Sequence, residues 1–247
     1  MRGVLMFGYG LICYALFFLT FLYAIGFVGD FLLPKTIDHP PIGAAASARD
    51  WITDIVLLGI FAVQHSGMAR RGFKNWLTGW LSPALERSTF VLLSSLVLIL
   101  LFWQWRPLPG VIWDASGNWG GWLLYALFAF GWLVVLSGTF IINHFDLFGL
   151  RQVWLRLRNH GYTPPEFKDN LYYRLVRHPL MLGFLIAFWA TPRMSVGHLL
   201  FTIATTGYIV LAVKYLEERD LVRMHGDHYR AYQRRVPMLL PWPRPRQ

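Results

Sequence analysis

The sequence predicts an all-α integral membrane protein with about five to six transmembrane helices: four spans, a helical hairpin, and an amphipathic C-terminal cytoplasmic helix. Three observations predict it. Of the 247 residues, 55% are hydrophobic and only 15% charged, where a soluble domain carries about a quarter charged residues. The charge is unevenly placed, in compact basic patches between long apolar stretches. Those stretches approach the roughly 20 apolar residues that one helical crossing of a bilayer needs.

The first span covers about residues 4–33, long enough to tilt or to lie partly in the interface. It is too long for a signal-peptide core and has no small-residue cleavage site ahead of a soluble domain, so it reads as a retained span. Pro34 to Asp50, with Pro40, Pro41 and Gly43, is loop. The second span, 52–68, is followed by a basic loop with Arg70, Arg71, Lys74 and Arg87. The third, 88–105, leads into a turn-rich loop marked by Pro107, Pro109, Gly110 and Gly117, whose one basic residue is Arg106. The fourth, 121–143, precedes a segment over 146–178 that carries Arg151, Arg156, Arg158, Lys168, Arg174 and Arg177. Two more apolar stretches, 179–191 and 196–216, are split by Thr191-Pro192-Arg193, which predicts a tight hairpin. From Glu217 to Arg235, Leu221, Met224, His228 and Tyr232 recur at helical spacing among arginines, the pattern of an interfacial helix. Val236 to Pro243 is apolar and cannot be helical, so it folds back onto the protein or the membrane surface.

Lys and Arg accumulate on the cytoplasmic side of membrane proteins. That rule places the second loop, the 146–178 segment and the tail in the cytoplasm, together with Arg2, and the first and third loops outside. The same rule accounts for the net charge of +10, and no soluble domain is left to present a nucleic-acid surface. The single cysteine, Cys13, excludes a disulfide framework and a cysteine-based zinc site, and no metal site is expected.

Polar groups at membrane depth are costly and point to function. Four features stand out: Gln64-His65-Ser66, Asn143-His144-Phe145-Asp146, Arg177-His178-Pro179 and Glu217-Glu218. The topology brings all four to one level near the cytoplasmic interface. Each also has a plain structural reading. His65 fits as a helix-end interface residue, the segment from Asn143 as a helix cap, and Arg177 as an anchor before a proline at a helix's first turn. Glu217 and Glu218 could simply pair with Arg219 and Arg223, yet two adjacent acids in a basic region suggest binding.

Tyr172 and Tyr173, Arg177-His178-Pro179-Leu180-Met181-Leu182-Gly183, Glu217-Glu218, His225-Gly226-Asp227-His228-Tyr229-Arg230-Ala231-Tyr232 and Val236-Pro237 together resemble the isoprenylcysteine carboxyl methyltransferase superfamily. The resemblance covers roughly residues 170–241. Met181 stands where that pattern commonly has tyrosine, which removes any hydrogen bond that tyrosine would make. Gln64 to Arg70, Asn143 to Gln152 and Phe188 to Pro192 are similar to a narrower branch, the bacterial methanethiol S-methyltransferases, which are related to NnrU-type membrane proteins and make dimethyl sulfide.

The resemblance implies an S-adenosyl-L-methionine-dependent thiol methyltransferase in the bacterial inner membrane, its active site facing the cytoplasm. It implies residues 1–145 as a four-span region with substrate-side residues, and 146–247 as the loop, hairpin and tail that form the cofactor site. Arg177 and His178 would take the cofactor carboxylate, with the hairpin helix's free N–H groups adding to them. Glu217 or Glu218 would accept from the ribose hydroxyls or the ammonium, and Tyr229, Tyr232 and the Val236–Leu240 strip would wall the adenine. Tyr173 and Gly183 belong to the same pattern. The thiolate is the nucleophile, so a base is needed: His144 oriented by Asp146, or Asp146 itself. His65, Arg151 and Gln152 are the substrate-side candidates. A small thiol dissolves in lipid, which suits a membrane location.

Readings of other classes stand beside this one. Histidines 65, 144, 178 and 198 could serve a haem- or metal-binding electron carrier, although by topology His198 falls on the other side of the hairpin and no HExxH-like cluster exists. The same cofactor site could act on a lipid-like thiol or carboxylate. A transporter is disfavoured because no charged residue sits mid-span.

Overall fold

The computed structural model describes residues 1–39, 45–165 and 167–242; the predicted loop residues Pro40, Pro41 and Gly43, and Pro243 at the end of the predicted fold-back strip, lie outside them. Among the described residues the helices are α1 (Arg2–Gly29), α2 (Ala48–Met68), α3 (Arg71–Thr78), α4 (Pro83–Gln104), α5 (Trp119–Ile142), α6 (His144–Leu147), α7 (Leu150–Leu157), α8 (Pro179–Trp189), α9 (Val196–Ala212) and α10 (Glu218–Arg235). Five helices among the described residues are long and apolar enough to cross a membrane: α1, α2, α4, α5 and the continuous helix Val196–Arg235. The chain is an all-α integral membrane protein.

Local chemistry sets the ends of these helices. The first span stops at Gly29 rather than near residue 33, because Asp30 turns into the left-handed region at φ 59° and its N–H caps Gly26 O. Ser47 and Asp50 form a reciprocal capping box at the start of α2. Proline occupies the first turn of α4 and of α8, where its missing N–H costs nothing. The predicted hairpin has unequal arms. At 11 residues α8 rises about 16 Å, well short of a hydrocarbon core of about 30 Å. Its partner α9 continues through a wide π turn, Val213–Glu217, directly into α10. Between the arms, Arg193–Ser195 pairs with Val111–Asp114 in a two-stranded sheet that the apolar periodicity did not signal. Such pairing satisfies backbone groups freed at the Pro192 break.

The chain divides into two compact units that interleave along the sequence. The first comprises Met1–Val111, Asn143–Pro165 and Ser195–His198. In it α1 packs on α4 and α7, and α2 on α4. A Cβ on Gly10 would lie 2.5 Å from Val153, so only glycine lets α1 approach α7 this closely. The connection after α1 is fastened by Asp38, fully buried, which accepts from Ser195 N at 3.0 Å and bonds His198 Nδ1 at 2.7 Å.

The second unit comprises Ile112–Ile142, Glu166–Met194 and Leu199–Gln247. The fourth span belongs here because α5 and α8 meet backbone to backbone. A Cβ on Gly131 would lie 2.7 Å from Gly183 O, and one on Gly183 would lie 2.8 Å from Gly131 O. Small residues at such a seam are how helices approach closely where lipid removes the hydrophobic drive to associate. The tail after α10 folds onto this unit. Met238 and Leu239 pack with Met181, Phe184, Leu185, Ile209 and Val213, and the carbonyls of Pro237 and Met238 accept from Arg177 N and His178 N at 2.9 and 3.2 Å.

Candidate functional site

The sequence-predicted polar residues assemble into two buried clusters, one on each unit. The first forms where α5 ends. Asn143 Oδ1 accepts from Asp146 N at 3.2 Å and starts the single turn of α6, so this segment is both a helix cap and a cluster of functional groups. Asp146 is 9% exposed, and Arg151 Nη1 and Tyr162 Oη donate to its carboxylate at 2.8 and 3.1 Å. Gln152 Nε2 donates to the Asp146 carbonyl at 3.0 Å, and Arg151 is pinned further by Thr163 O and Oγ1 at 2.7 and 3.0 Å. Burial, and then the charge of Asp146, raise the Tyr162 hydroxyl above its ordinary pKa, so it donates rather than ionises.

His144 is 4% exposed and bonds through Nε2 to Tyr14 Oη at 2.8 Å. Burial lowers its pKa below the ordinary value, and at neutral pH the imidazole is uncharged and able to accept a proton. Asp146 is thus engaged by Arg151 and Tyr162, while His144 answers to Tyr14 on α1. His65 lies on the face of α2 that meets α4, 3.3 Å from Ser94 Oγ and between the rings of Phe61 and Phe90.

The second cluster centres on Glu218, 7% exposed. Arg177 donates to it bidentately, Nε to Oε1 and Nη2 to Oε2, both at 2.9 Å. Its Oε1 also meets His178 Nε2 at 2.6 Å and Tyr229 Oη at 2.8 Å, and its Oε2 accepts from Gln233 Nε2. The other arm of the Arg177 guanidinium donates to Gln233 O at 3.1 Å and Val236 O at 2.5 Å. Arg177 and Glu218 therefore direct their polar atoms at protein partners. Planar, bidentate pairing with further bonds on every side is the arrangement that compensates desolvation of a buried pair.

His178 caps α8 and faces both acids: Nε2 meets Glu218, and Nδ1 lies 3.5 Å from Glu217 Oε1. Burial opposes its charge, but the hydrogen bonds and fields of Glu217 and Glu218 outweigh it and raise the imidazole to about 9. Glu217 is different from its neighbour, with a side chain 46% exposed. Tyr173, within the field of Glu217, carries a buried hydroxyl that has no hydrogen-bond partner among the described residues. Burial, then the charge of Glu217, hold that phenol well above its usual range. Tyr229 and Tyr232 are buried, and Phe167 presents its ring edge-on to both at 5.8 and 5.4 Å. Tyr232 Oη donates to Tyr173 O at 2.5 Å. Gly183 lies in the α5–α8 seam. The left-handed φ of 57° at Gly226 breaks the helical geometry within α10, a conformation glycine adopts at no steric cost. Arg219 and Arg223 turn to Tyr215 and Asp220.

Residues that pattern alone did not single out complete both clusters. Tyr14 offered one signal, a phenol within an apolar span. Gln233 offered another, one helical turn beyond Tyr229. Tyr162 and Phe167 sit in irregular chain and offered none. Among the described residues, no group of three or more His, Cys, Asp or Glu is placed to hold a metal ion.

The fold and these clusters define a polytopic helical membrane protein with a buried, uncharged imidazole at His144 and a buried, ion-paired carboxylate network around Glu218. The chain belongs to the NnrU family, whose model, described as NnrU protein, matches residues 55–228. It is 56% identical over 238 residues to a protein of Mycobacterium tuberculosis named methanethiol S-methyltransferase, covering 95% of each chain. A protein of the same name from Crocosphaera subtropica is 50% identical over 234 residues, 95% of this chain and 91% of its own. Nurim of Rattus norvegicus is 30% identical over 189 residues, 73% of this chain and 71% of its own. No solved structure matches the chain.

Proposed function

We propose that this protein is a membrane-bound, S-adenosyl-L-methionine-dependent methyltransferase that converts methanethiol to dimethyl sulfide. The observation that carries the reading is the 56% identity, end to end, with a relative named for methyl transfer to methanethiol. The clusters fit the chemistry. The second cluster offers the half-exposed Glu217 carboxylate as acceptor for an ammonium or a ribose diol, and the orphaned Tyr173 hydroxyl as a further polar contact. Buried polar groups left unpaired are what a bound ligand satisfies. Arg177 and Glu218 hold this edge in place. The aromatic floor of Phe167, Tyr229 and Tyr232 suits a flat base and a cation. When bound, S-adenosylmethionine supplies an electrophilic methyl group.

The protein's own task is then to make a thiolate and keep water away from it. His144, uncharged and buried among rings, accepts the proton. Asp146, fixed by Arg151 and Tyr162, holds the turn that carries His144, with Gln152 beneath. His65, seated between Phe61 and Phe90, is the substrate-side candidate on α2. A cytoplasm-facing site follows from the basic loops and from a donor made in the cytoplasm, and the thiol arrives through the lipid. The test is purified protein with labelled S-adenosylmethionine and a panel of thiols of increasing size, with headspace detection of methylated sulfides. Methylation of methanethiol above the larger thiols is expected. No labelled product with any thiol, or a haem absorbance band in the purified protein, would refute the reading.

A further inference from the structure

Aromatic side chains enclose His144 on several sides. Phe145 and Phe148 stand edge-on to the imidazole at 5.4 and 4.9 Å, and Phe148 is itself stacked on Phe17 at 3.8 Å. Tyr14 closes a further side with its ring edge-on at 5.7 Å and its hydroxyl on Nε2. With the imidazole 4% exposed and Nε2 capped by the phenol, a thiol cannot bond that nitrogen without displacing Tyr14. Tyr14 is half-buried where His144 is buried, and its hydroxyl is the group on the imidazole's Nε2. Its sequence surroundings on α1, Leu11-Ile12-Cys13-Tyr14-Ala15-Leu16-Phe17, are apolar. A phenol in such a span is retained at a cost and calls for a polar partner. The other tyrosines of α1 meet groups that do not take up a proton: Tyr9 bonds the Thr89 hydroxyl at 3.0 Å, and Tyr23 donates to Lys35 O at 3.3 Å. Tyr14 is bonded to a base.

We propose that Tyr14 is a catalytic residue, the relay through which the thiol's proton reaches His144; this rests on the thiol methyltransferase reading. With the imidazole neutral and Nε2 unprotonated, the Tyr14 O–H donates to Nε2 and its oxygen accepts from the thiol S–H. The S–H bond breaks and its proton forms a new O–H bond on Tyr14, as the original Tyr14 proton moves to Nε2 and forms an N–H bond. Sulfur keeps the electron pair and uses it to form the new S–C bond to the donor methyl. The C–S bond of the donor sulfonium breaks, its pair staying on the donor sulfur. Tyr14 ends neutral, and the imidazolium returns its proton to solvent before the next turnover. Hydroxyl and imidazole both emerge unchanged.

The experiment is Tyr14→Phe in the full-length protein, which keeps the ring and removes the oxygen. Turnover of methanethiol at neutral pH should fall about 10²-fold, within the range that positioned proton transfer supplies. S-adenosylmethionine affinity by calorimetry should stay parental, and the defect should narrow as pH rises toward the thiol's own pKa, where solution thiolate bypasses the relay. A merely structural Tyr14 would not tie its defect to pH. Because Tyr14→Phe could also disturb folding, a ring-fluorinated tyrosine at position 14 provides the second variant. Its more acidic hydroxyl should move the ascending limb of the pH–rate profile to lower pH with the melting temperature unchanged. Parental turnover in Tyr14→Phe across the whole pH range, while His144→Ala is inactive, would overturn the relay and leave the methyltransferase reading standing. An inactive parent with every thiol would overturn both.

Discussion

Glu218 and Glu217 are neighbours of the same chemistry, and the structure assigns them opposite consequences when each carboxylate is replaced by an amide. Glu218→Gln removes the carboxylate that accepts from Arg177 Nε and Nη2 and leaves a guanidinium and an imidazolium side by side, 7% and 5% exposed. Breaking a buried pair from one side costs about 3–5 kcal/mol. A second route gives a similar size. His178 stands at about 9 against an ordinary 6.5, and at about 1.4 kcal/mol per pKa unit that gap is worth about 3 kcal/mol of preference for the charged form, supplied by the two acids together. The sign follows from the direction. A histidine raised on folding contributes its stabilisation in full below pH 6.5 and loses it as pH rises through about 9. Thermal unfolding of detergent-solubilised protein, followed from pH 6 to 10, should show the parent losing stability across that window. Glu218→Gln should be much less stable at pH 6 and should lose less stability than the parent across that window, because Glu217 still holds part of the His178 shift. Glu217→Gln should stay folded, with its loss appearing in calorimetry as weaker S-adenosylmethionine binding by about 1–3 kcal/mol, the cost of an unsatisfied polar partner. Parental stability in Glu218→Gln, or parental affinity in Glu217→Gln, would refute this division of labour.

Further substitutions probe the rest of the frame. Gly131→Ala would set a methyl 2.7 Å from Ala187 N and Gly183 O and should destabilise the α5–α8 seam by about 1–3 kcal/mol, read as a lower melting temperature. Asp38→Ala strips Ser195 N and His198 Nδ1 of their fully buried acceptor and should cost about 3–5 kcal/mol, visible as faster proteolysis of the segment between α1 and α2. Arg151→Met leaves the Asp146 carboxylate without its cation and should reduce turnover while S-adenosylmethionine affinity, measured separately, stays parental.

Membrane class and span positions were legible because hydrocarbon imposes a length and a composition that a single chain displays residue by residue. The amphipathic stretch after Glu217 was legible for the same reason, and so was the break at Pro192. The arms of the hairpin were not, since apolar composition is the same in α8, which is too short to cross, and in α9, which runs on through a π turn. Polar residues at membrane depth marked both clusters in advance: His144, Asp146, Arg177, His178, Glu217 and Glu218 are scarce there because they are costly.

What the sequence by itself determined was therefore the solvent of each segment and the short list of chemical groups held against that solvent's preference. Only the tertiary structure decided who partners whom. Nothing local distinguishes Glu217 from Glu218, yet one is half-exposed and the other is enclosed by Arg177, His178, Tyr229 and Gln233. Nothing local connects Tyr14 to His144, 130 residues away, or joins Asp38 to His198 at a distance of 160. Composition and periodicity report the average environment of a residue, which short-range sequence encodes. A hydrogen bond depends on the direction and separation of two particular atoms to within a few tenths of an ångström, and across such spans only the packing of whole helices sets those.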